Sequence, residues 1–154
     1  MLNRLRDVFR SFHENDVRHL VIGGIAAVLH GVPRATFDLD ILIEPAFDNA
    51  ERLIRALLDA GLASAELTNA PDILAHEITV FNDIVRVDVQ TSTPGLCFEE
   101  AWARRQIMDY HGQPISVASR EDLIASKRAA GRAVDLEDAR LLELPDDGKS
   151  PPAG

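Results

Sequence analysis

Asp38 and Asp40 stand two positions apart in the run Phe37-Asp-Leu-Asp-Ile-Leu-Ile43. Alternate side chains of a strand share a face, so both carboxylates project together while Leu39, Ile41 and Ile43 fill the other side. Two like charges this close raise each other's pKa, and Asp is a poor strand former. A hard divalent cation such as Mg²⁺, which takes carboxylate and phosphate oxygens, offsets that cost. Asp88 repeats the pattern in Ile84-Val-Arg-Val-Asp-Val-Gln90, with Arg86 and Gln90 on its face and Val85, Val87 and Val89 on the other. If the two strands are neighbours, three carboxylates converge. One or two Mg²⁺ ions held there would stabilise the attacking and leaving oxygens of an in-line phosphoryl displacement. An Asp-x-Asp by itself is common at strand ends, so the surrounding chain must supply the context.

That context is Gly23-Gly24, which ends one apolar run and opens another. Glycine permits a sharp bend and close backbone approach to a ligand, and free N–H groups at a helix start suit a phosphate. A plain strand-to-helix turn would use the same residues. The pair is neither a Walker A loop nor a dinucleotide fingerprint, because Gly-Lys-Ser/Thr and Gly-x-Gly-x-x-Gly are both absent. Arg34 and Thr36 lie just before the acids, close enough to touch a substrate phosphate; Arg34 could equally pair with Asp38 or be a surface loop charge. Lys127 falls on the apolar stripe of Leu123, Ile124 and Ala130, so it must snorkel outward or find an anion.

The combination Gly23-Gly24, His30-Gly31, Arg34-x-Thr36-x-Asp38-x-Asp40 and Asp88 resembles the nucleotidyltransferase superfamily, with its DNA polymerase beta-like fold. Within it, the string is similar to the AbiEii-type branch, known for toxin components of toxin–antitoxin systems. Lincosamide and aminoglycoside nucleotidyltransferases carry a similar string. The resemblance covers roughly residues 18–144. It implies a small mixed sheet flanked by helices, and transfer of a nucleoside monophosphate from an NTP to a hydroxyl or phosphate acceptor with release of pyrophosphate. It assigns catalysis and Mg²⁺ to Asp38, Asp40 and Asp88. It assigns nucleotide contacts to Gly23, Gly24, Arg34, Thr36 and Lys127. Acceptors it allows are tRNA or another RNA, a protein side chain or a small antibiotic, with an antitoxin or a second copy as partner. Ile25 departs from the pattern, since many members have Ser or Trp there. With the short chain, this departure also admits a catalytically inactive binding module. In the AbiEii-type branch a lysine and an Arg-x-x-Asp-x-x-Asp run accompany the nucleotide site. Here Arg132, Asp135 and Asp138 read instead as caps and helix-terminal pairs.

The elements that must position these groups follow from periodicity and punctuation. Helices are predicted over 5–15, 25–30, 47–60, 99–106, 119–131 and 135–144, and strands over 18–22 and 37–43. Hairpins are predicted for 76–81 with 84–90, and for 107–110 with 114–117. The expected class is α/β or α+β in one domain, 1–144, with a disordered tail over 145–154. Of 154 residues, 46% are hydrophobic and 27% charged, as in ordinary globular proteins. No apolar run approaches the roughly 20 residues of a membrane helix, so no membrane role is expected. The formal charge of −9 opposes broad coating of nucleic acid. Cys97 is the sole cysteine, which excludes an internal disulfide, suits the cytoplasm and reads as a small packed hydrophobe. Trp102 reads as core beside Phe98, and His30 as a cation at a helix end.

Overall fold

The computed structural model describes residues 2–145. The tail predicted over 145–154 lies, beyond its first residue, outside the described residues. Seven helices and six strands form a mixed α/β fold. The chain runs α1 (Leu2–Glu14), β1 (His19–Ile22), α2 (Gly23–Leu29), β2 (Leu39–Ile43) and α3 (Phe47–Asp59). A 3-10 turn (Ala63–Leu67) and α4 (Ala70–Ala75) follow, then β3 (Ile78–Asn82), β4 (Arg86–Gln90) and α5 (Phe98–Ala103). The chain closes with β5 (Gln106–Tyr110), β6 (Gln113–Val117), α6 (Arg120–Ala130) and α7 (Ala133–Leu142).

The sheet order is β3-β4-β2-β1-β6-β5. β2 is parallel to β4 and antiparallel to β1, while β1 is parallel to β6. Both predicted hairpins form, as β3–β4 and β5–β6. His111 (φ 49°) and Gly112 (φ 88°) turn the second, the positive-φ pair that a tight hairpin demands. The helix at 119–131 is capped as its sequence predicts: Asp122 N–H donates to Ser119 Oγ at 3.1 Å, and Gly131 ends it at φ 74°.

Register sorts the two faces of the sheet. Leu39, Ile41 and Ile43, Val87 and Val89, and Val21 are buried on one face with Phe9 and Phe12 of α1 and Leu53 and Leu57 of α3. The other face carries Ile22, Asp40, Asp88 and Gln90, opposite α6. The strand predicted over 37–43 begins only at Leu39, so Asp38 is the exposed residue preceding it. The 3-10 turn and α4 have no counterpart in the sequence reading. Asn69 caps α4, accepting from Asp72 N–H at 2.9 Å with Pro71 in the first turn, a signal visible in Asn-Ala-Pro-Asp. Cys97 is exposed rather than packed. It sits just before α5, whose apolar face is already filled by Phe98 and Ala101.

His19, at the start of β1, is buried against Phe12 with ring centroids 4.7 Å apart. Its Nδ1 lies 3.0 Å from the Val17 carbonyl, and Nε2 has no partner among the described residues. Burial lowers its pKa to about 4, against the Val17 carbonyl, which favours the charged ring. Above pH 6.5 the ring is neutral both folded and unfolded. Below that, the unfolded chain takes a proton the native ring refuses, so stability falls as pH drops from 6.5 toward 4. The expected loss through this residue is on the order of 3 kcal/mol. His19→Leu should lack that component when urea melts are compared across the window.

Candidate functional site

The two central acids meet because β2 and β4 are parallel neighbours in register: Asp40 pairs with Asp88 as Leu39 pairs with Val87. Their side chains therefore stand side by side on the face turned toward α6. Ile22, the last residue of β1, pairs with Asp40 from the other flank, which brings the Gly23-Gly24 bend to the carboxylates. Gly23 has φ 70°, and a Cβ added there would lie 2.4 Å from Asp40 Oδ2. A Cβ on Gly24 would lie 2.7 Å from Thr36 Oγ1 and 2.8 Å from an Arg34 guanidinium nitrogen. The glycines thus let the backbone press against Asp40, Thr36 and Arg34 at once. α2 begins at Gly23 itself, two residues earlier than periodicity predicts. His30 closes it, buried, with Nε2 2.9 Å from the Ala118 carbonyl oxygen.

The two glycines invite different outcomes. Gly23→Ala imposes both a left-handed backbone and a clash with Asp40, and should cost about 1–3 kcal/mol in urea unfolding. Gly24→Ala meets the movable end of Arg34 but also Thr36, whose backbone-bound Cβ would lie 3.2 Å away, so the gain in helix propensity is offset and the net cost should stay at about 1 kcal/mol. Its nucleotide affinity, read by titration with a Mg²⁺–NTP, should fall instead.

Asp38 joins the pair indirectly. Arg86 Nε lies 2.9 Å from Asp88 Oδ1 and 3.8 Å from Asp38 Oδ2, bridging the two across the mouth of the site. Both Arg86 and Asp38 are about half exposed, whereas Asp88 is largely buried. Asp40 carries the electrostatic load. Burial first, then Asp88, then Asp38 push its pKa up to about 7, against the opposing pull of Lys127 and Arg86. Among the described residues no group of three or more His, Cys, Asp and Glu side chains is already gathered to ligate a metal. Two of the three aspartates engage Arg86.

A cleft of about 100 Å³ opens beside Asp40. Gly23, Asp40 and Gln90 form one wall; Ser126, Lys127 and Arg132 form the other. Lys127 is buried at 6% exposure and does not snorkel. Its Nζ donates to Asp138 Oδ2 at 2.8 Å, and Arg34 Nη2 donates to the same oxygen at 3.1 Å. Arg34 therefore pairs with Asp138, 104 residues away, and not with the adjacent Asp38. Asp138 is 1% exposed and joins α6, α7 and the segment before β2, which corrects its reading as a helix-terminal pair. Arg132 does pair with Asp135, Nε to Oδ2 at 2.7 Å, as its spacing predicts.

Of the eight sequence-predicted site residues, Gly23, Asp40 and Lys127 line the cleft itself. Asp88 adjoins it through its register with Asp40. Gly24, Thr36 and Arg34 form a second cluster behind the bend, and Asp38 lies at the rim. The sequence reading missed Ser126, Thr93, Gln90 and Arg132 as cleft residues. Gln90 carried a signal in its alternation with Asp88, and Arg132 in the Arg-x-x-Asp-x-x-Asp run, which the reading as a helix-terminal pair set aside. No family model matches the chain, and no curated protein matches it significantly.

Proposed function

We propose that the protein is a Mg²⁺-dependent nucleotidyltransferase with a nucleotidyltransferase fold, passing a nucleoside monophosphate from an NTP to a hydroxyl or phosphate acceptor. The observation that carries this reading is the register pairing of Asp40 with Asp88, facing a buried lysine across a cleft. The donor set suits a hard cation. Three carboxylates supply oxygen ligands, and the pKa of Asp40, raised by burial first and then by Asp88 and Asp38, includes a like-charge repulsion that a cation would relieve. Asp38, Asp40 and Asp88 would hold the ion, with Arg86 swinging out to solvent. When bound, Mg²⁺ would neutralise charge on the transferring phosphoryl group.

The chain's own groups do the rest. The Gly23-Gly24 backbone lets a triphosphate approach Asp40 closely. Lys127 and Arg132 place positive charge in the cleft, with Arg34 sharing Asp138 behind the bend, and electrostatic stabilisation of phosphoryl transfer is strongest in such a partly dry site. Asp88, on the side of Asp40 away from the bend, can orient or deprotonate the acceptor hydroxyl. RNA, a protein side chain and a small antibiotic are all candidate acceptors. A role in a toxin–antitoxin pair rests on the sequence resemblance alone.

The bridging of Asp88 and Asp38 by Arg86 favours a second reading, a nucleotide-binding module without catalysis. One experiment separates the two. The protein is incubated with each NTP labelled at the α-phosphate, with Mg²⁺ and with RNA, protein and small-molecule fractions, beside D38N/D40N. Transfer of label that disappears in the variant supports catalysis. Tight NTP binding with no label in any fraction supports the module, and neither binding nor transfer overturns both.

A further inference from the structure

β3 is an edge strand with none of the usual protecting devices inside its span; its charges, Glu77 and Asp83, stand just outside the two ends. Natural edges carry charge, proline or a bulge. The opposite edge, β5, has Asp109 within it and Arg105 before it. β3 reads Ile-Thr-Val-Phe-Asn, with no charge and no proline. Ile78 is 52% exposed and Val80 47% exposed, on the face shared with Asp88.

The hydrogen-bond phase shows which backbone groups are open. Thr91 N–H donates to the Glu77 carbonyl at 2.9 Å, and Asp83 N–H to the Val85 carbonyl at 3.1 Å. With Ile78 opposite Gln90 and Val80 opposite Asp88, these bonds make Glu77, Thr79 and Phe81 the residues bonded inward to β4. The N–H and C=O groups of Ile78 and Val80 therefore point away from the sheet, and no partner for their N–H groups occurs among the described residues. An open backbone edge flanked by alternate apolar side chains is what strand addition uses.

Charge selects the occupant. Two copies of β3 pairing antiparallel about Val80 would set Glu77 of each against Asp83 of the other, both exposed acids, at both ends of the pairing. That repulsion disfavours self-pairing and favours a strand with basic ends. We propose that β3 docks an extended segment of a partner protein, apolar at alternate positions and flanked by Lys or Arg, as a seventh strand. This proposal is independent of whether the aspartates catalyse transfer.

The test uses the full chain and a fluorescent peptide of alternating threonine and valine with lysines at both ends. Val80→Pro removes an outward N–H while leaving the inner ladder intact, so the fold should survive. Val80→Lys, which places charge on the edge without touching the backbone, provides a second variant. Expected results are saturable binding, a loss of about tenfold or more in both variants with unfolding midpoints retained, and a similar loss when glutamates replace the peptide's lysines. Three outcomes overturn the proposal. One is no binding at concentrations on the order of 1 mM. Another is equal binding by wild type and both variants. The third is a wild-type dimer in sedimentation that Val80→Lys converts to monomer, which would make the occupant a second copy.

Discussion

Asp40→Asn should abolish nucleotidyl transfer, by about a thousandfold or more, and at the same time make the metal-free protein more stable above neutral pH. Both effects come from the same crowding. Asp40 in the native protein keeps its proton up to about pH 7, while in the unfolded chain it loses it near 3.8. Stability from this group is fully present below pH 3.8 and is lost as pH rises through 7, because ionisation in the fold is opposed by burial and by Asp88 and Asp38. The loss amounts to a few kcal/mol at most. Asparagine keeps the shape and removes the charge, so the variant should melt above wild type at pH 8 in chelator and match it near pH 4. Adding Mg²⁺ should raise the wild-type melting point and leave the variant's nearly unchanged, since a ligand that binds the native state stabilises it by an amount that grows with the logarithm of its concentration over its dissociation constant. A variant that melts below wild type at pH 8 would show that Asp40 is stabilised by its surroundings, contrary to the crowding described. The His19 contribution runs the other way, weakening the fold as pH falls below 6.5. The two slopes oppose each other between pH 4 and 6.5, so wild type should be nearly flat there, and each single variant should expose the slope of the other.

The local pattern carried most of this geometry. Alternation around Asp40 and Asp88 named their shared face without error, because both strands also had to bury Leu39, Ile41, Val87 and Val89. The helices predicted over 25–30, 47–60 and 119–131 stop at or just before Gly31, Gly61 and Gly131, and each of these glycines takes positive φ, which other residues rarely tolerate. What alternation could not provide was adjacency. That β2 lies beside β4 and not beside β3 is a matter of chain routing, and it decides whether Asp40 meets Asp88 at all. Alternation places Asp38 in the strand although β2 begins at Leu39, since i and i+2 look alike whether or not the first is hydrogen-bonded into the sheet. Cys97 was misread because composition says that cysteines are usually buried, whereas position at an exposed helix start overrides it. Asp138 was the largest miss. Its spacing from Arg132 and Asp135 fits a surface helix, and nothing local shows that Lys127 and Arg34 both converge on it.

That convergence leads to the second large effect. Asp138→Ala leaves Lys127 buried without its counter-charge, a change that typically costs about 3–5 kcal/mol. For a domain of this size the melting point should drop on the order of 10 °C. Lys127→Met should cost less, because the thioether suits the apolar stripe with Leu123 and Asp138 retains Arg34 at 3.1 Å. The double variant Lys127→Met/Asp138→Leu should recover much of the loss, since the buried lysine charge is gone and the Arg34 guanidinium left behind is one-third exposed to water. A polyanion then tests whether the pair belongs to a phosphate site or only to the fold. Without Asp138, Lys127 and Arg34 are released cations beside the cleft, and inorganic triphosphate can replace the missing carboxylate. Triphosphate should therefore raise the melting point of Asp138→Ala more than that of wild type, and more than that of the double variant, which keeps only Arg34 of the two released cations. Equal shifts in all three proteins would make Lys127–Asp138 a purely structural tie between α6 and α7. A larger shift in Asp138→Ala alone would make Asp138 the internal stand-in for a phosphate, holding Lys127 and Arg34 at the site until the nucleotide arrives.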